Sequence, residues 1–204
     1  ACKENQVYDE WIVRDQGAMV RQIGYSPKEF AQIMIDKEGG IKKAYKLFDK
    51  SEVKPSNYHQ KDIETNSVGD RYSKIIQKVF EPEYNFSDYS RASSIYWPGN
   101  KLGHGREDVS KLWNSLKDIF SDINFSIEHI GYLNEPNKNP RVSIRWFLEG
   151  IHSNDSKEFG KKSNSKLFIM GINHVELDDD GVIREWVLFD EVAIWKQILM
   201  NKEN

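Results

Sequence analysis

The sequence predicts an α+β protein, in which helices come first, a run of long antiparallel strands follows and a last helix ends the fold. An amphipathic pattern over residues 106–120 places apolar side chains at helical spacing and predicts a helix. Extended segments follow it, over residues 123–133, 141–151, 167–177 and 182–190. Residues after Asp190 return to a helical pattern. This order of elements favours one sheet packed against helices.

The hairpin that joins the last two predicted strands is the most informative stretch. Asp179-Asp180-Gly181 has the composition of a tight turn, because glycine accepts positive φ. Alternation then places His174 on one face of the first strand and Asp190 on one face of the second. The side chains that share these two faces are Phe168, Met170, Ile172 and His174, and Val182, Arg184, Trp186, Leu188 and Asp190. An ionisable group in such an apolar setting is expected to have a shifted pKa.

Part of this stretch occurs twice. The pattern E-W-x3-D-x6-Q-I begins at Glu10 and again at Glu185, so the two copies are offset by 175 residues. The first copy therefore predicts the last strand and terminal helix of a preceding, similar domain. Since the strand Val7 to Arg14 needs a partner, it pairs at a sheet edge, exchanges into a neighbouring molecule, or belongs to a longer tandem protein. The last alternative is our preferred expectation.

This repeat divides the chain into residues 1–48 as the end of a preceding domain, residues 49–70 as a linker, and residues 71–204 as the main domain. Within the first part, Ser26-Pro27-Lys28-Glu29 has the signature of a capping box and predicts a helix to about Asp36. Further helical patterns cover residues 16–23, 41–48 and 72–80, and residues 81–105 read as irregular.

Composition excludes several classes of protein. The chain of 204 residues has 38% apolar and 12% aromatic residues and a net charge of −3, which gives no indication of nucleic-acid or membrane binding. Its single cysteine, Cys2, excludes an internal disulfide framework, which fits a cytoplasmic protein and leaves a periplasmic one open. The histidines lack metal-ligand spacing and no nucleotide-binding glycine motif occurs, so we expect neither metal nor cofactor.

Several short motifs occur in a characteristic order. They are G-R-E at 105–107, R-W-x-L-x-G-x-H at 145–152, F-G at 159–160, G-I-x-H at 171–174, D-G-x-I-x-E-W at 180–186, F-D-E at 189–191 and K-Q-I at 196–198. With these motifs, residues 72–198 resemble the SnoaL-like branch of the nuclear-transport-factor-2-like superfamily, which includes polyketide cyclases and ester cyclases. The resemblance implies a curved antiparallel sheet packed on helices around a cone-shaped pocket, with dimers commonly formed through the sheet.

The chain departs from that family at two places. Family members often carry a Pro-Thr-Gly loop before the third strand, where this chain has Lys162-Ser163-Asn164. The ring-closing cyclases also use an aspartate on the last strand, and here that position is Val187 or Leu188. The resemblance therefore implies the histidine partner, His174, without the expected carboxylate.

His174 and Asp190 are the predicted catalytic pair, because histidine titrates near neutrality and a carboxylate in an apolar pocket can be tuned toward it. For Asp190 the favoured alternative is the N-cap of the last helix, as Asp15 would be in the first copy. His174 is equally well explained as an ordinary sheet residue with a polar partner. The predicted pocket residues are Trp146, His152, Phe168, Ile172, Trp186 and Tyr96. For His152 a solvated strand end, and for the tryptophans a core position, are the structural alternatives.

Two functions follow as expectations. The first is cofactor-independent cyclase or isomerase chemistry, in which a proton is abstracted next to a carbonyl of a small hydrophobic substrate. The second is a non-catalytic domain that binds a small apolar molecule or serves in assembly. The expected partners are accordingly a small hydrophobic ligand and a second copy, either as a homodimer or as a tandem pseudo-dimer.

Overall fold

The computed structural model describes residues 2–3, 6–7, 10, 12–46 and 67–201. The helices are α1 (Gln16–Gln22), α2 (Pro27–Lys37), α3 (Ser67–Val79), α4 (Gly105–Lys117) and α5 (Glu191–Met200). The strands are β1 (Cys2–Lys3), β2 (Gln6–Val7), β3 (Tyr89–Trp97), β4 (Lys101–His104), β5 (Phe120–Leu133), β6 (Arg141–His152), β7 (Lys166–Asp178) and β8 (Gly181–Phe189). The α+β class predicted from the sequence is confirmed.

Six strands form one curved, unclosed sheet in the order β4-β3-β8-β7-β6-β5. All neighbouring strands are antiparallel except β3 and β8, which run parallel. Helices α3 and α4 cover one face of this sheet, which we call the inner face. The core between this face and the helices is rich in aromatic side chains, including Tyr72, Trp97, Trp113, Trp146 and Phe189. The opposite, outer face carries the exposed Tyr96, Leu133 and Trp186.

The predicted helix caps are present. Asp190 Oδ1 accepts from the backbone N–H groups of Val192 at 2.9 Å and Ala193 at 3.2 Å, and Asp15 Oδ1 accepts from Ala18 at 2.8 Å. Each side chain thus satisfies N–H groups that the first helical turn leaves without partners. The capping interpretation of both repeats is confirmed.

The turn between β7 and β8 depends on Gly181. Its φ is +130°, and a Cβ built there would overlap the carbonyl oxygen of Asp88. The adjacent Val182 donates its backbone N–H to that oxygen at 3.0 Å. A side chain at position 181 would therefore disturb both the hairpin and its contact with the segment before β3.

Several sequence-based boundaries are wrong. Residues predicted to be irregular contain β3 and β4, whose alternation is masked by polar serines at 90, 93 and 94. Residues 41–43 form turns rather than a helix, since Gly39 and Gly40 both adopt positive φ just before them. Residues 12–15 are not in a strand. Helix α3 begins at Ser67, inside the predicted linker. The other linker residues, 49–66, lie outside the described part of the chain, and so do Phe48 and Trp11.

The N-terminal helices pack on the main domain through α5. Arg21 of α1 forms an ion pair with Glu191 at 2.5 Å, and Lys196 of α5 binds both carboxylate oxygens of Glu38 at 2.7 and 2.8 Å. These contacts hold residues 15–38 against the domain that follows them. None of the helices in the described ranges is long and apolar enough to cross a membrane.

Candidate functional site

Alternation along β7 and β8 directs two polar side chains to the inner face. Asn173 and Glu185 occupy positions flanked by apolar residues that are all buried: Gly171, Val175, Val187 and Phe189. Neither polar side chain has solvent-accessible surface. Because α3 and α4 lie over this face, both groups must find partners within the protein.

Glu185 accepts hydrogen bonds from four side chains. Tyr72 from α3 and Asn173 donate to Oε1, the latter at 2.9 Å. Tyr89 from β3 donates to Oε2 at 3.0 Å, and the Trp113 indole N–H from α4 donates to the same oxygen at 3.2 Å. One carboxylate therefore connects two helices and three strands.

Asn173 extends this network. Its amide nitrogen also donates to the Tyr72 hydroxyl at 2.8 Å, while its carbonyl oxygen accepts from the Trp146 indole N–H at 2.8 Å. The amide thus bridges a tryptophan on β6 and the carboxylate on β8. We call Tyr72, Tyr89, Trp113, Trp146, Asn173 and Glu185 the inner cluster.

The inner cluster has an unusual charge balance. Among the described residues, every group that donates to Glu185 is neutral, so no cation offsets the buried carboxylate. Burial raises the pKa of Glu185, and the four hydrogen bonds oppose that rise because they stabilise the ionised form. Burial and the neighbouring Glu185 raise the pKa values of Tyr72 and Tyr89 well above the ordinary value.

This arrangement suits proton transfer. A carboxylate with a raised pKa is a stronger base than an ordinary carboxylate, and a tyrosine hydroxyl held as a donor can stabilise a developing oxyanion. The surrounding surface is aromatic: Trp113 lies edge-on to Trp97 at 5.0 Å between ring centroids and also contacts Trp146. The inner cluster therefore combines one acid–base group, neutral hydrogen-bond donors and closely packed aromatic rings.

His174 does not reach the inner cluster. It lies exposed on the outer face, directly opposite Trp186 on β8 and Ser143 on β6. With Ile172 and Trp186 it lines an open groove of about 710 Å³, on the side of the sheet away from α3 and α4. The prediction that His174 lies between the sheet and the helices is wrong. Successive strand residues point to opposite faces, and it is Asn173, not His174, that faces the helices.

Asp190 lies in a different place from His174. It lines a cleft of about 310 Å³ formed by α5, by β7 and by residues 12–16. Phe168, predicted to share a cavity with His174, lines this cleft instead. Burial raises the pKa of Asp190 to about 6, and the nearby carboxylates of Asp15 and Glu191 contribute to the rise. The structure thus separates the two predicted catalytic residues into different surface clefts, and their catalytic roles stay predictions.

The remaining predicted pocket residues are distributed over both faces. Trp146 belongs to the inner cluster. Tyr96 stacks on Trp186 on the outer face, with ring centroids 5.4 Å apart and planes within 7°. His152 is fully buried, with Nδ1 accepting from the backbone N–H of Ser163 at 3.3 Å, so the expected solvated strand end is wrong. The loop after β6 covers it.

The inner cluster was not predicted as a site, although one signal for it is present in the sequence. Arg184 shares a face with Trp186, and an arginine on an otherwise apolar strand marks the solvated side. Glu185 then belongs to the face of Val187 and Phe189, which is the buried one. Tyr72, Tyr89 and Trp113 carry no such signal, because only the tertiary fold brings their elements to β8.

The structure distinguishes Val187 from Leu188, the two residues that could stand where the ring-closing cyclases carry an aspartate. Val187 faces the interior, paired across the sheet with Asn173, whereas Leu188 faces outward. Neither Val187 nor Asn173 ionises. Glu185, two residues earlier on the same face, is the inward carboxylate of this strand. Within residues 12–46 and 67–201, no three histidine, cysteine or acidic side chains are grouped in a way that could hold a metal ion.

Comparisons with known proteins place this geometry in a fold family. No protein-family model matches the sequence, and no curated protein matches it. Solved structures do match. One is a SnoaL-like polyketide cyclase assigned in Shewanella putrefaciens CN-32, with a TM-score of 0.54 at 18% identity. The matched region covers 67% of this chain and 88% of the Shewanella chain. IdmH of Streptomyces antibioticus, assigned as a polyketide cyclase, has a TM-score of 0.53 at 14% identity, covering 65% and 99%.

A third match is a SnoaL-like polyketide cyclase assigned in Jannaschia sp. CCS1, with a TM-score of 0.51 at 14% identity, covering 68% of this chain and 96% of its own. At these identities the likeness shows the fold alone. The matched proteins are covered almost completely, whereas about a third of this chain has no counterpart in them. The chain therefore has the fold of these SnoaL-like polyketide cyclases.

Proposed function

We propose that this SnoaL-like domain carries out cofactor-independent acid–base chemistry on a small hydrophobic carbonyl compound, with Glu185 as the group that moves the proton. The observation that carries the proposal is a fully buried carboxylate held by four neutral donors and no cation. An unpaired buried charge lowers stability, and an apolar side chain would fill the site at less cost. A catalytic use accounts for a carboxylate in that position.

The proposed roles follow from the atoms present. Glu185 removes a proton from the carbon next to the carbonyl. Its raised pKa makes it a stronger base than an ordinary carboxylate, which reduces the difference from the pKa of the substrate C–H group. The hydroxyl of Tyr72 or Tyr89 donates to the carbonyl oxygen as negative charge develops there. Substrate binding exchanges one of the hydrogen bonds that Glu185 now accepts for a contact with the substrate. The polyketide-cyclase assignments of the matched structures agree with a carbonyl substrate.

The experiment is proton exchange at carbon. Small ketones and β-keto esters, such as 2-tetralone and ethyl acetoacetate, are incubated with the protein in D₂O and followed by NMR. We expect exchange next to the carbonyl above the buffer rate, and a loss of 100-fold or more in Glu185→Gln, the range typical of a general base. Near-ultraviolet circular dichroism checks that the variant is folded.

Two control variants separate the candidates. Glu176→Gln removes a partly buried carboxylate on the outer face of β7 that is ion-paired with Arg184 at 2.7 Å, and exchange should be unchanged. His174→Ala and Asp190→Asn test the pair assigned from the sequence. If those variants lose exchange while Glu185→Gln keeps full activity, the base is His174 or Asp190 and our proposal is wrong. If the wild-type protein catalyses exchange on none of the compounds, both assignments are refuted.

The second candidate function is a non-catalytic binding or assembly domain. It is favoured by the saturation of Glu185, whose two oxygens accept four hydrogen bonds, and by the apolar residue, Val187 or Leu188, at the family's aspartate position. On this reading the inner cluster joins α3 and α4 to the sheet. Glu185→Gln would then lower stability, and no carbonyl compound would exchange its protons.

We further propose that assembly uses two surfaces. The outer face exposes Trp186, Tyr96 and Leu133, which suits sheet-to-sheet pairing with a second copy. Helix α1 supports the expected tandem organisation: Met19 and Ile23 are 58% and 66% exposed, whereas their repeat equivalents in α5, Ile194 and Ile198, are 1% and 0% exposed. The apolar face that α5 buries is open on α1, as expected for a helix that belongs to a second sheet.

A further inference from the structure

A second cavity lies outside the inner cluster, between the N-terminal segment and the last helix. It has a volume of about 310 Å³. Its walls are apolar and come from both sides: Ile12, Val13, Phe168, Ile169, Met170, Ala193 and Ile194. The polar lining consists of Asp190, Arg14, Gln16 and Gln197. We call this cavity the α5 cleft, and its volume suits a ligand of one small ring.

The polar side chains of the cleft differ in whether their hydrogen-bonding atoms already have partners within the protein. Gln197 is occupied, because its amide exchanges two hydrogen bonds of 2.8 Å with the backbone of Phe168. Asp190 uses Oδ1 alone for both capping bonds to α5, and no donor of the described residues contacts Oδ2. One carboxylate oxygen thus remains as an acceptor beside the apolar lining, where a ligand bearing a donor would bind.

The charges around Asp190 decide the kind of donor. On the N-terminal segment, Asp15 faces it with a second carboxylate, and Arg14 lines the cleft with a guanidinium. On α5, Glu191 is neutralised by its ion pair with Arg21 of α1. The elements that line the cleft therefore hold two carboxylates against one guanidinium, and the local field favours a cation.

We propose that the α5 cleft binds a small apolar amine, with its ammonium group on Asp190 Oδ2 and its hydrocarbon part against Phe168, Met170 and Ile194. The ammonium group supplies the missing donor and offsets the repulsion between Asp190 and Asp15. Because Ile12 and Val13 form one wall, the ligand also bridges the N-terminal segment and the main domain. This site is independent of the acid–base function proposed for Glu185.

The test uses three probes of similar shape: benzylamine, benzyl alcohol and benzoate, titrated by isothermal calorimetry and by ligand-observed NMR. We expect benzylamine to bind at least tenfold more tightly than benzyl alcohol at pH 7.5, and benzoate not to bind. The affinity for benzylamine should fall severalfold between pH 7.5 and pH 5, as Asp190 becomes protonated around its pKa of about 6.

Asp190→Asn is the deciding variant, because asparagine also caps helices and removes only the charge. It should bind benzylamine and benzyl alcohol equally and lose the pH dependence. Asp179→Asn, in the exposed hairpin turn, is the matched control and should behave like the wild type. Met170→Trp, which fills the cleft, should abolish binding by a separate route. A benzylamine affinity that is unchanged in Asp190→Asn, or equal binding of benzylamine and benzyl alcohol by the wild type, would overturn the proposal.

Discussion

Asp190 couples the stability of the protein to pH. Its carboxyl is largely buried and accepts two backbone hydrogen bonds, but burial prevails and raises the pKa from 3.8 to about 6. A carboxyl with a higher pKa in the folded protein binds protons more tightly there than in the unfolded chain. Its contribution to stability is therefore fully present below pH 3.8 and is lost as pH rises through 6.

We expect this loss to disappear in Asp190→Asn. The difference in free energy of unfolding between wild type and variant should change by at most about 3 kcal/mol between pH 4 and pH 7, in favour of the variant at the higher pH. Urea unfolding followed by circular dichroism measures it, with Asp179→Asn as the control. A difference that stays constant over this range would show that Asp190 titrates normally.

Gly171 tests the packing around the inner cluster. A Cβ at this position of β7 would overlap the indole ring of Trp146. That ring cannot move freely, since its N–H donates to Asn173 and its faces contact Trp113 and Phe125. We expect Gly171→Ala to lower the free energy of unfolding by about 3 kcal/mol or more.

The matched control for this substitution is Gly69→Ala on α3. A Cβ there would lie 3.3 Å from a methyl carbon of Ile130, and alanine favours the helix. Urea unfolding should show a change within about 0.5 kcal/mol for this control. Equal effects of the two substitutions would mean that Trp146 can reposition.

At the scale of elements, α1 and α5 share a sequence pattern but not an environment. Ile198 is fully buried in the core, and its equivalent Ile23 is exposed after the last turn of α1. We expect Ile198→Ala to cost 2–5 kcal/mol, the usual range for a buried isoleucine, and Ile23→Ala to change stability by less than about 0.5 kcal/mol. Thermal unfolding of both variants compares them directly.

A large loss in Ile23→Ala would contradict the exposure of that side chain and would mean that residues outside the described ranges, or a second molecule, cover it. The same comparison applies to Met19 and Ile194. The repeat therefore provides its own control, because Ile23 and Ile198 are the same residue type at equivalent positions of the two copies.

At the scale of the whole molecule, the outer face of the sheet presents an open apolar surface. The stacked Tyr96 and Trp186 lie beside a groove that Tyr132 and Leu133 also line. We expect light scattering after size-exclusion chromatography to give the mass of a dimer, and Trp186→Arg to shift it toward the monomer. Met19→Arg, on α1, should leave the dimer intact. A monomeric wild type at all concentrations tested would contradict assembly through this face.

The order of the elements and the local signals were determined by the sequence itself. The amphipathic pattern of α4, the capping box of α2, the Asp-Gly turn before β8 and the caps at Asp15 and Asp190 all act over a few residues, so each can be read without knowing the fold. The four long strands from β5 to β8 were predicted to within three residues for the same reason.

Only the tertiary structure decided which face of each strand is buried. Both faces of β7 are apolar, with Phe168, Met170 and Ile172 on one and Leu167, Ile169 and Val175 on the other, so alternation defines two faces without ranking them. That choice places His174 outside and Asn173 inside. It also unites Glu185 with Tyr72, Tyr89 and Trp113, which lie up to 113 residues away in the chain. A site assembled from distant elements depends on sheet order and helix placement, and these are set by the packing of the whole core.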